Sequence, residues 1–351
     1  MRGNITKRGK SSWRLKLDVD KAAGSRKTTF KTIRGSRKDA ERELAKLISA
    51  THDGTFVEAS NLTVADHLRA WLSGAHSLAG KTVERYCQLA EQQIYPHIGT
   101  IPLQRLKPHH IADWQAMLLQ TGGAGGKPLG ARTVGHAHRV LHRALARAVE
   151  AELIARNVCT IIRAPKAEAV EIESLRSDRI ATVLQALQGH PLQAIATLAL
   201  SSGARRGEIL GLAWGHVDLD AATLRIERGL EQTRAGLRFK APKTKSGKRT
   251  ISLPPTAVAA LRLHRRQQLE TRLALGQGKP DNETLVFGTI EDTPLPPNNL
   301  SRDWRRFVLA RKLPPVSFHG LRHSHVSALI NSNVDVVTIS KRIGHSNPAQ
   351  R

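Results

Sequence analysis

The stretch SFHGLRHSH at residues 317–325, followed by RIGH at residues 342–345, is the most informative part of the chain. His319 and Arg322 are three residues apart, so at the start of a helix their side chains share one face. A guanidinium, an imidazole and a helix N-terminus are the groups that bind a phosphate. A metal site would need carboxylates or cysteines nearby, and the stretch has none. The pattern therefore indicates a phosphate site near the C-terminus.

Composition narrows the class of partner. The 351 residues are too many for one ordinary core, so two or three domains are expected. The formal net charge of +26 predicts a polyanionic partner, with nucleic acid first and an anionic membrane surface second. No apolar run approaches the roughly 20 residues that a membrane span needs. Cys87 and Cys159 are single and far apart, which argues against a disulfide framework and favours a reducing, cytoplasmic setting.

Hydrophobic periodicity predicts a mainly α fold with small β elements, an α+β class. Residues 1–57 are predicted to form a small sheet with one helix. Residues 62–160 have the pattern of a bundle of four or five helices. Residues 174–351 are predicted to form a mixed, mostly helical domain. Short polar or charged segments separate these three parts.

The first predicted domain is a basic sheet covered by a helix. Residues 13–19 alternate with period two and predict a strand, with residues 27–33 as its hairpin partner and residues 23–25 as the turn. Ser36 is the expected N-cap of a helix over residues 37–49. The domain has 15 Lys and Arg against 6 Asp and Glu, and this net charge of +9 suits contact with a DNA groove or backbone. The candidate contacts are Arg14, Lys16 and Lys31.

The second predicted domain ends in a long helix over residues 131–153 with a basic stripe. An earlier helix over residues 82–94 is expected to stop at Tyr95-Pro96, because proline lacks a backbone N–H. Three histidines of the long helix offer a metal cluster as the alternative, but no carboxylate or cysteine stands at ligand spacing. The stripe is instead expected to follow phosphates. Its candidate DNA contacts are Arg132, Arg139 and Arg143.

The third predicted domain places an arginine after a buried helix. The helix over residues 191–201 is almost wholly apolar and ends at Ser202-Gly203-Ala204, after which a helix is predicted over residues 205–214. Arg205 therefore lies close to the domain interior. A buried guanidinium needs an anion, which is either Glu208 or a bound ligand.

Two further cationic clusters follow. Lys243 lies in a lysine-rich hairpin tip between strands predicted over residues 223–226 and 249–253, where a lysine is ordinarily just solvated. The other cluster consists of His319 and Arg322 with the later His345.

These clusters together resemble the tyrosine recombinases, or phage-type integrases. Residues 202–208 (SGARRGE) match the family's first arginine box, and residues 242–254 contain the matches to its lysine hairpin (PKTK and RTISLP). Residues 319–323 (HGLRH) match its His-x-x-Arg box, and residues 343–346 (IGHS) match its last histidine. Four boxes in the family's order make the resemblance specific.

The resemblance implies a site-specific DNA recombinase that forms a 3′-phosphotyrosine link and requires no cofactor and no metal. Arg205 and Arg322 would clamp the non-bridging phosphate oxygens. Lys243, or Lys245 if the hairpin register differs, would protonate the 5′-oxygen leaving group. The remaining roles implied are proton transfer by His319, a hydrogen bond to the phosphate from His345, and orientation of the arginine box by Glu208.

The resemblance also implies a role for each domain. Residues 1–57 would be an arm-type DNA-binding domain, residues 62–160 a helical, SAM-like core-binding domain, and residues 174–351 the catalytic domain. The implied partner is double-stranded DNA carrying attachment sites, bound by a tetramer of protomers in the full-length form, with no membrane. The implied location is the bacterial cytoplasm, associated with the nucleoid.

One expectation departs from the family. Its nucleophilic tyrosine lies beyond the position of His345, past Arg351, and the two tyrosines present, Tyr86 and Tyr95, fall in the helical domain. The catalytic domain is therefore expected to be incomplete at its C-terminus, without a nucleophile. A fragment of a longer gene product, a frameshifted or degraded copy, and a deliberate truncation all fit this pattern.

Two functions of different class remain open from the sequence. The first is the recombinase itself, with strand cleavage in the full-length form. The second is a DNA-binding remnant or competitor of an integrase that occupies attachment sites without cleaving them. A metal-dependent nuclease is a third class, but it needs clustered Asp and Glu, which the third domain does not show.

Overall fold

The computed structural model describes residues 3–20, 26–53, 57–168, 174–242 and 245–344. Helices predominate there and the strands form small antiparallel sheets, which confirms the predicted α+β class. The chain divides into two compact units, Met1–Ala169 and Val170–Arg351. Within the first unit the buried apolar side chains form two separate clusters, one beneath the N-terminal sheet and one inside the helical bundle. The division into three domains stays a prediction.

The N-terminal sheet has three antiparallel strands in sequence order, and one helix covers it. The elements are β1 (Gly3–Gly9), β2 (Ser12–Asp20), β3 (Arg26–Arg34) and α1 (Arg37–His52). Leu15 and Leu17 of β2 are buried with Ala40 and Leu44 of α1. Ser36 caps α1 as predicted, since its side chain accepts a hydrogen bond from the backbone N–H of Asp39. The predicted turn at residues 23–25 lies outside the described residues.

Strand β1 is absent from the sequence-based prediction. It pairs with β2 along most of its length. Only Ile5 among its residues is a partly buried apolar side chain in the cluster beneath the sheet, so the period-two signal is too weak to indicate a strand.

The helical part of the first unit packs around a core of buried aliphatic residues and Trp114. Its helices are α2 (Val64–Ser73), α3 (Gly80–Leu89), α4 (Tyr95–Ile98), α5 (Pro108–Thr121) and α6 (Ala131–Glu150). The expected stop at Tyr95-Pro96 is wrong. A π-helical turn at Ala90–Ile94 widens the helix, and Pro96 then falls in the first turn of α4, where its missing N–H costs nothing.

Helix α6 ends three residues before its predicted end. Glu152 takes a left-handed conformation with φ of 55°. The N–H of Leu153 donates to the carbonyl oxygen of Ala148, and that of Glu152 donates to the carbonyl oxygen of Val149, which closes a Schellman motif.

The second unit is built from seven helices and five short strands among its described residues. The helices are α7 (Ser177–Ala186), α8 (Gln193–Ser202), α9 (Arg206–Leu210), α10 (Pro255–Ala274), α11 (Pro297–Ala310), α12 (Gly320–Asn331) and α13 (Val336–Ile343). The strands are β4 (Val217–Asp218), β5 (Thr223–Ile226), β6 (Gly229–Thr233), β7 (Gly236–Lys240) and β8 (Arg249–Ser252). Helix α8 lies at the centre, and its side chains from Ala194 to Leu200 are buried.

Two predictions for this unit need correction. The helix predicted over residues 205–214 ends at Leu210. The backbone N–H groups of Trp214 and Gly215 donate to the carbonyl oxygens of Thr284 and Asn282, and not to carbonyl oxygens one turn earlier in the chain. The predicted strands at residues 223–226 and 249–253 do pair, as β5 and β8, but a second hairpin of β6 and β7 is inserted between them. The lysine-rich segment therefore connects β7 to β8 and is not the tip of a simple hairpin.

The described part of the chain contains no helix that is both long and apolar enough to cross a membrane.

Candidate active site

The first arginine box lies between α8 and α9. Gly203 ends α8 with φ of 62°, a left-handed conformation that glycine adopts readily, and a Cβ there would lie 2.5 Å from Cδ2 of His325. This turn places Arg205 at the N-cap of α9. One carboxylate oxygen of Glu208 accepts from the Arg205 backbone N–H and the other from Arg205 Nη1, both at 2.8 Å.

Glu208 also binds a second arginine. Arg249 of β8 donates from Nη2 to Glu208 Oε2 at 2.8 Å, and from Nη1 to Oε1 at 3.3 Å. The Arg249 side chain is 6% exposed and that of Glu208 is 9% exposed. Burial alone would raise the pKa of Glu208, but the hydrogen bonds and charge of Arg249, followed by the bonds from Arg205, hold it below its usual value. The carboxylate is therefore ionised.

Arg322 of α12 reaches the same place from another part of the chain. It is 4% exposed, and it donates from Nη1 to the carbonyl oxygen of Gly203 at 2.6 Å and from Nη2 to that of Ile343 at 2.8 Å. Burial, and then the Arg205 cation, lowers the pKa of Arg322 to about 10, with Glu208 opposing the shift. The guanidinium is still charged at neutral pH.

The site therefore carries more positive than negative charge. Arg205, Arg249 and Arg322 surround the single carboxylate of Glu208, and Arg205 Nη2 also donates to the carbonyl oxygen of Gly344 at 3.2 Å. Two of the five N–H donors of Arg322 are used in these contacts, and 43% of the Arg205 side chain is exposed. An arrangement with two excess cations and spare donors is suited to bind an anion.

His319 lies at the N-cap position of α12 beside this cluster. Burial, then the neighbouring His323 and Arg322, lower the pKa of His319, so its imidazole is neutral at pH 7. It lines a cavity of about 810 Å³ together with Arg205 and Arg206. A neutral imidazole at that position has one nitrogen that donates and one that accepts a proton.

Three residues of the site were not predicted from the sequence: Arg249, His325 and Arg342. Arg249 had one usable signal, since it shares the inward face of β8 with the buried Ile251. Arg342 of α13 donates from Nε to His325 Nε2 at 3.1 Å and from Nη2 to carbonyl oxygens of Ser201 and Ser252. These bonds attach the end of α13 to both α8 and β8.

His325 is held as a neutral imidazole. Its Nδ1 lies 2.8 Å from the carbonyl oxygen of Leu200, which only accepts, so Nδ1 carries the proton and Nε2 accepts from Arg342. Burial, and then the charge of Arg342, lowers the pKa of His325 to about 4. The unfolded chain takes up this proton near pH 6.5 but the folded chain only near pH 4, so acid favours unfolding.

The second unit should therefore lose stability as pH falls from 6.5 towards 4, with His325 contributing roughly 2 to 3 kcal/mol to the loss. The measurement is the free energy of unfolding in urea between pH 7.5 and 4.5 for the wild-type chain and for His325→Gln. Between these two pH values the free energy of unfolding of His325→Gln should fall by roughly 2 to 3 kcal/mol less than that of the wild-type chain. Equal slopes would mean that His325 is not the titrating group.

The structure brings together Arg205, Glu208, Arg322 and His319 of the predicted site. Lys243 and His345 lie outside the described residues, and Lys245 begins a short 3₁₀ turn. No group of three potential metal ligands occurs among the described residues, including the histidines of α6. His138 of that helix is buried and bonds to Gln115.

The predicted DNA contacts belong to the first unit. Arg14 and Lys16 are on the sheet face opposite α1, whereas Lys31 is on the helix side and binds Glu43 at 2.7 Å. Arg132, Arg139 and Arg143 are exposed along one face of α6. Arg143 also donates to the hydroxyl of Tyr86 at 2.6 Å.

Comparison with known proteins places this geometry in a family. Residues 173–350 match the phage integrase family model. A tyrosine recombinase XerC-like protein of Caldanaerobacter subterraneus is 25% identical over 98% of this chain and 92% of its own length. An integrase of Streptomyces ambofaciens is 30% identical over 90% of this chain and 82% of its own length.

Solved structures share the fold. The Tn1549 transposon integrase, in complex with transposon right end DNA, aligns over 82% of this chain and 92% of that chain, with a TM-score of 0.69 and 18% identity. A lambda integrase tetramer bound to a Holliday junction aligns over 99% of this chain and 93% of that chain, with a TM-score of 0.59 and 18% identity. With its arginine cluster inside the matched residues, the chain belongs to the phage integrase family of tyrosine recombinases.

Proposed function

We propose that the chain is a site-specific DNA recombinase that binds attachment-site DNA and holds a phosphodiester between Arg205 and Arg322. One observation carries the proposal: three buried or half-buried guanidiniums surround one carboxylate and leave an excess of positive charge. A phosphodiester supplies one negative charge and two free oxygens, which matches the spare N–H donors. Membership of a recombinase family supports this choice of anion over a small phosphate.

Each remaining residue has a role in this proposal. Arg205 and Arg322 stabilise the charge that grows on the phosphate oxygens in the transition state. Glu208 orients Arg205 and, through Arg249, fixes it to the sheet. His319, neutral at pH 7, assists proton transfer. The proposed leaving-group acid is Lys243, or Lys245, and the proposed phosphate donor is His345.

Strand cleavage in the proposed reaction proceeds through a 3′-phosphotyrosine intermediate. We propose that neither tyrosine of the 351 residues is the nucleophile. The hydroxyl of Tyr86 accepts a hydrogen bond from Arg143, and the guanidinium of Arg69 lies 4.7 Å from the ring centroid of Tyr95. Both tyrosines belong to the first unit. In this proposal Arg205 and Arg322 bind the phosphate, and neither Tyr86 nor Tyr95 attacks it. The second candidate is a protein that occupies attachment sites without cleaving them, and the covalent-trapping assay distinguishes the two.

The proposed partner is double-stranded DNA, contacted by all three proposed domains: residues 1–57, 62–160 and 174–351. The net charge of +26 supports it, as do the DNA complexes solved for the structural neighbours. The lambda integrase tetramer on a Holliday junction supports a tetramer of protomers as the acting form. The basic face of α6, with Arg132 and Arg139, is the proposed phosphate-tracking surface of the middle domain.

A covalent-trapping assay tests whether the chain binds attachment-site DNA and whether Tyr86 or Tyr95 attacks it. The probe is the site duplex, defined as the sequence that the 351-residue chain enriches from a randomised duplex library, nicked in turn at each position. We expect binding without an SDS-resistant protein–DNA adduct. An adduct lost in Tyr86→Phe or Tyr95→Phe would overturn the assignment of the nucleophile. Absence of any duplex enrichment would overturn the recombinase proposal itself.

A further inference from the structure

An aromatic side chain lies exposed on the outer face of the N-terminal sheet. The strand register places Asn4, Lys16 and Phe30 in one row across β1, β2 and β3, and Thr6, Arg14 and Thr32 in the next. The alternate residues Leu15 and Leu17 point to the opposite face, where α1 covers them. Phe30 therefore lies on the face that α1 leaves uncovered.

Phe30 is held in place although it contributes nothing to the core. Phe30 is 52% exposed, and the guanidinium of Arg14 lies 4.3 Å from the ring centroid. A cation over the ring restrains its orientation and adds about 0.5–1 kcal/mol at an exposed site. An ordered apolar surface facing water is suited to contact an apolar group on a partner.

The chemistry around Phe30 selects the partner. The same face carries an amide, two hydroxyls and two cations, from Asn4, Thr6, Thr32, Arg14 and Lys16. Three strands spaced about 4.8 Å apart present a face roughly 10 Å across, and the major groove of B-DNA is about 12 Å wide. That groove displays hydrogen-bond donors and acceptors together with one apolar group, the thymine 5-methyl.

We propose that Phe30 is a specificity-determining residue that contacts the 5-methyl group of a thymine in the major groove. Arg14 orients the ring and adds positive charge at the contact. The proposal rests on the proposed function in one respect, that residues 1–57 bind DNA. It adds which residue reads a base and which base it reads. A protein partner docking on Phe30 is the competing occupant.

Replacement of thymine by uracil removes only the methyl group and keeps every hydrogen-bonding edge. In the site duplex, each thymine is changed to uracil in turn, and the affinity of the 351-residue chain is measured at fixed salt. Uracil at one of these positions should weaken binding about fourfold, which is the effect of losing one buried methyl contact. In Phe30→Ala that position should give equal affinity for thymine and uracil. Phe30→Leu, which keeps an apolar contact, should retain part of the difference.

The matched control is Phe239→Ala in the second unit. Phe239 is 41% exposed, and the guanidinium of Arg228 lies 4.6 Å from its ring centroid. It is therefore a second exposed phenylalanine with an arginine over its ring, outside the N-terminal sheet. This variant should keep the wild-type difference between thymine and uracil. The proposal is overturned if no thymine is sensitive in the wild-type chain, or if Phe30→Ala shows the same sensitivity. Unchanged DNA binding by Phe30→Ala would point to the protein partner, and failure of the wild-type chain to bind DNA would refute the proposed function instead.

Discussion

Replacing Glu208 with glutamine should lower the free energy of unfolding of the second unit by about 3–5 kcal/mol. Glutamine keeps the shape of the side chain and can still accept hydrogen bonds, but it removes the negative charge. Arg249, 6% exposed, then has a buried charge without an anion, and Arg322 loses the one carboxylate that offsets its own burial. Urea unfolding at pH 7.5 measures the loss.

The chain offers a matched control for this substitution. Glu270 forms an i,i+4 ion pair with Arg266 on α10 of the same unit, and the two side chains are 67% and 72% exposed. Glu270→Gln should change stability by less than about 1 kcal/mol, because solvent screens an exposed pair. A loss as small as this in Glu208→Gln would show that Glu208 does not hold the arginine cluster together.

Replacing Arg205 with alanine should weaken binding to the site duplex by roughly 10- to 100-fold. Charge-assisted hydrogen bonds contribute about 1.5–3 kcal/mol each, and about 1.4 kcal/mol corresponds to tenfold in affinity. Arg205 is the partly exposed member of the cluster, so its donors are accessible to a phosphate. Arg266→Ala, which also removes one cation from the second unit, should change affinity far less. Equal losses in the two variants would indicate general charge attraction only.

Sequence patterns predicted the parts of the site that are local in the chain. The apolar run that became α8, the break at Gly203 and the position of Arg205 at the following helix start all depend on neighbouring residues. The spacing of His319 and Arg322 placed both at the beginning of α12 in the same way. Hydrophobic periodicity and helix capping predict these helix ends, because both depend only on residues that are close together in the chain.

The contacts that complete the site are long-range, and no local pattern contains them. Glu208 and Arg249 are 41 residues apart, and Arg322 and Gly203 are 119 residues apart. The sequence indicates Arg249 only as part of the match to the lysine hairpin, and its pairing with Glu208 depends on how β8 packs beside α9. The sequence likewise gives no signal for the bond between Arg342 and His325, since it joins two helices whose relative position comes from tertiary packing.

The phosphate clamp itself is tested most directly by neutralising single phosphates. A set of site duplexes carries one methylphosphonate at each position in turn, which removes one negative charge while keeping the backbone. Each duplex is titrated with the wild-type chain and with Arg205→Ala at the same salt concentration. The comparison measures the coupling between one side chain and one phosphate.

The clamp predicts one phosphate in each bound half of the site where methylphosphonate weakens the wild-type chain by roughly 10- to 100-fold, matching the effect of Arg205→Ala. At that phosphate, methylphosphonate should weaken Arg205→Ala clearly less than it weakens the wild-type chain, because only the contact with Arg322 is left to lose. If no phosphate shows this coupling, or if the modified duplex weakens both proteins equally at every position, Arg205 does not hold a phosphodiester and the central claim is wrong.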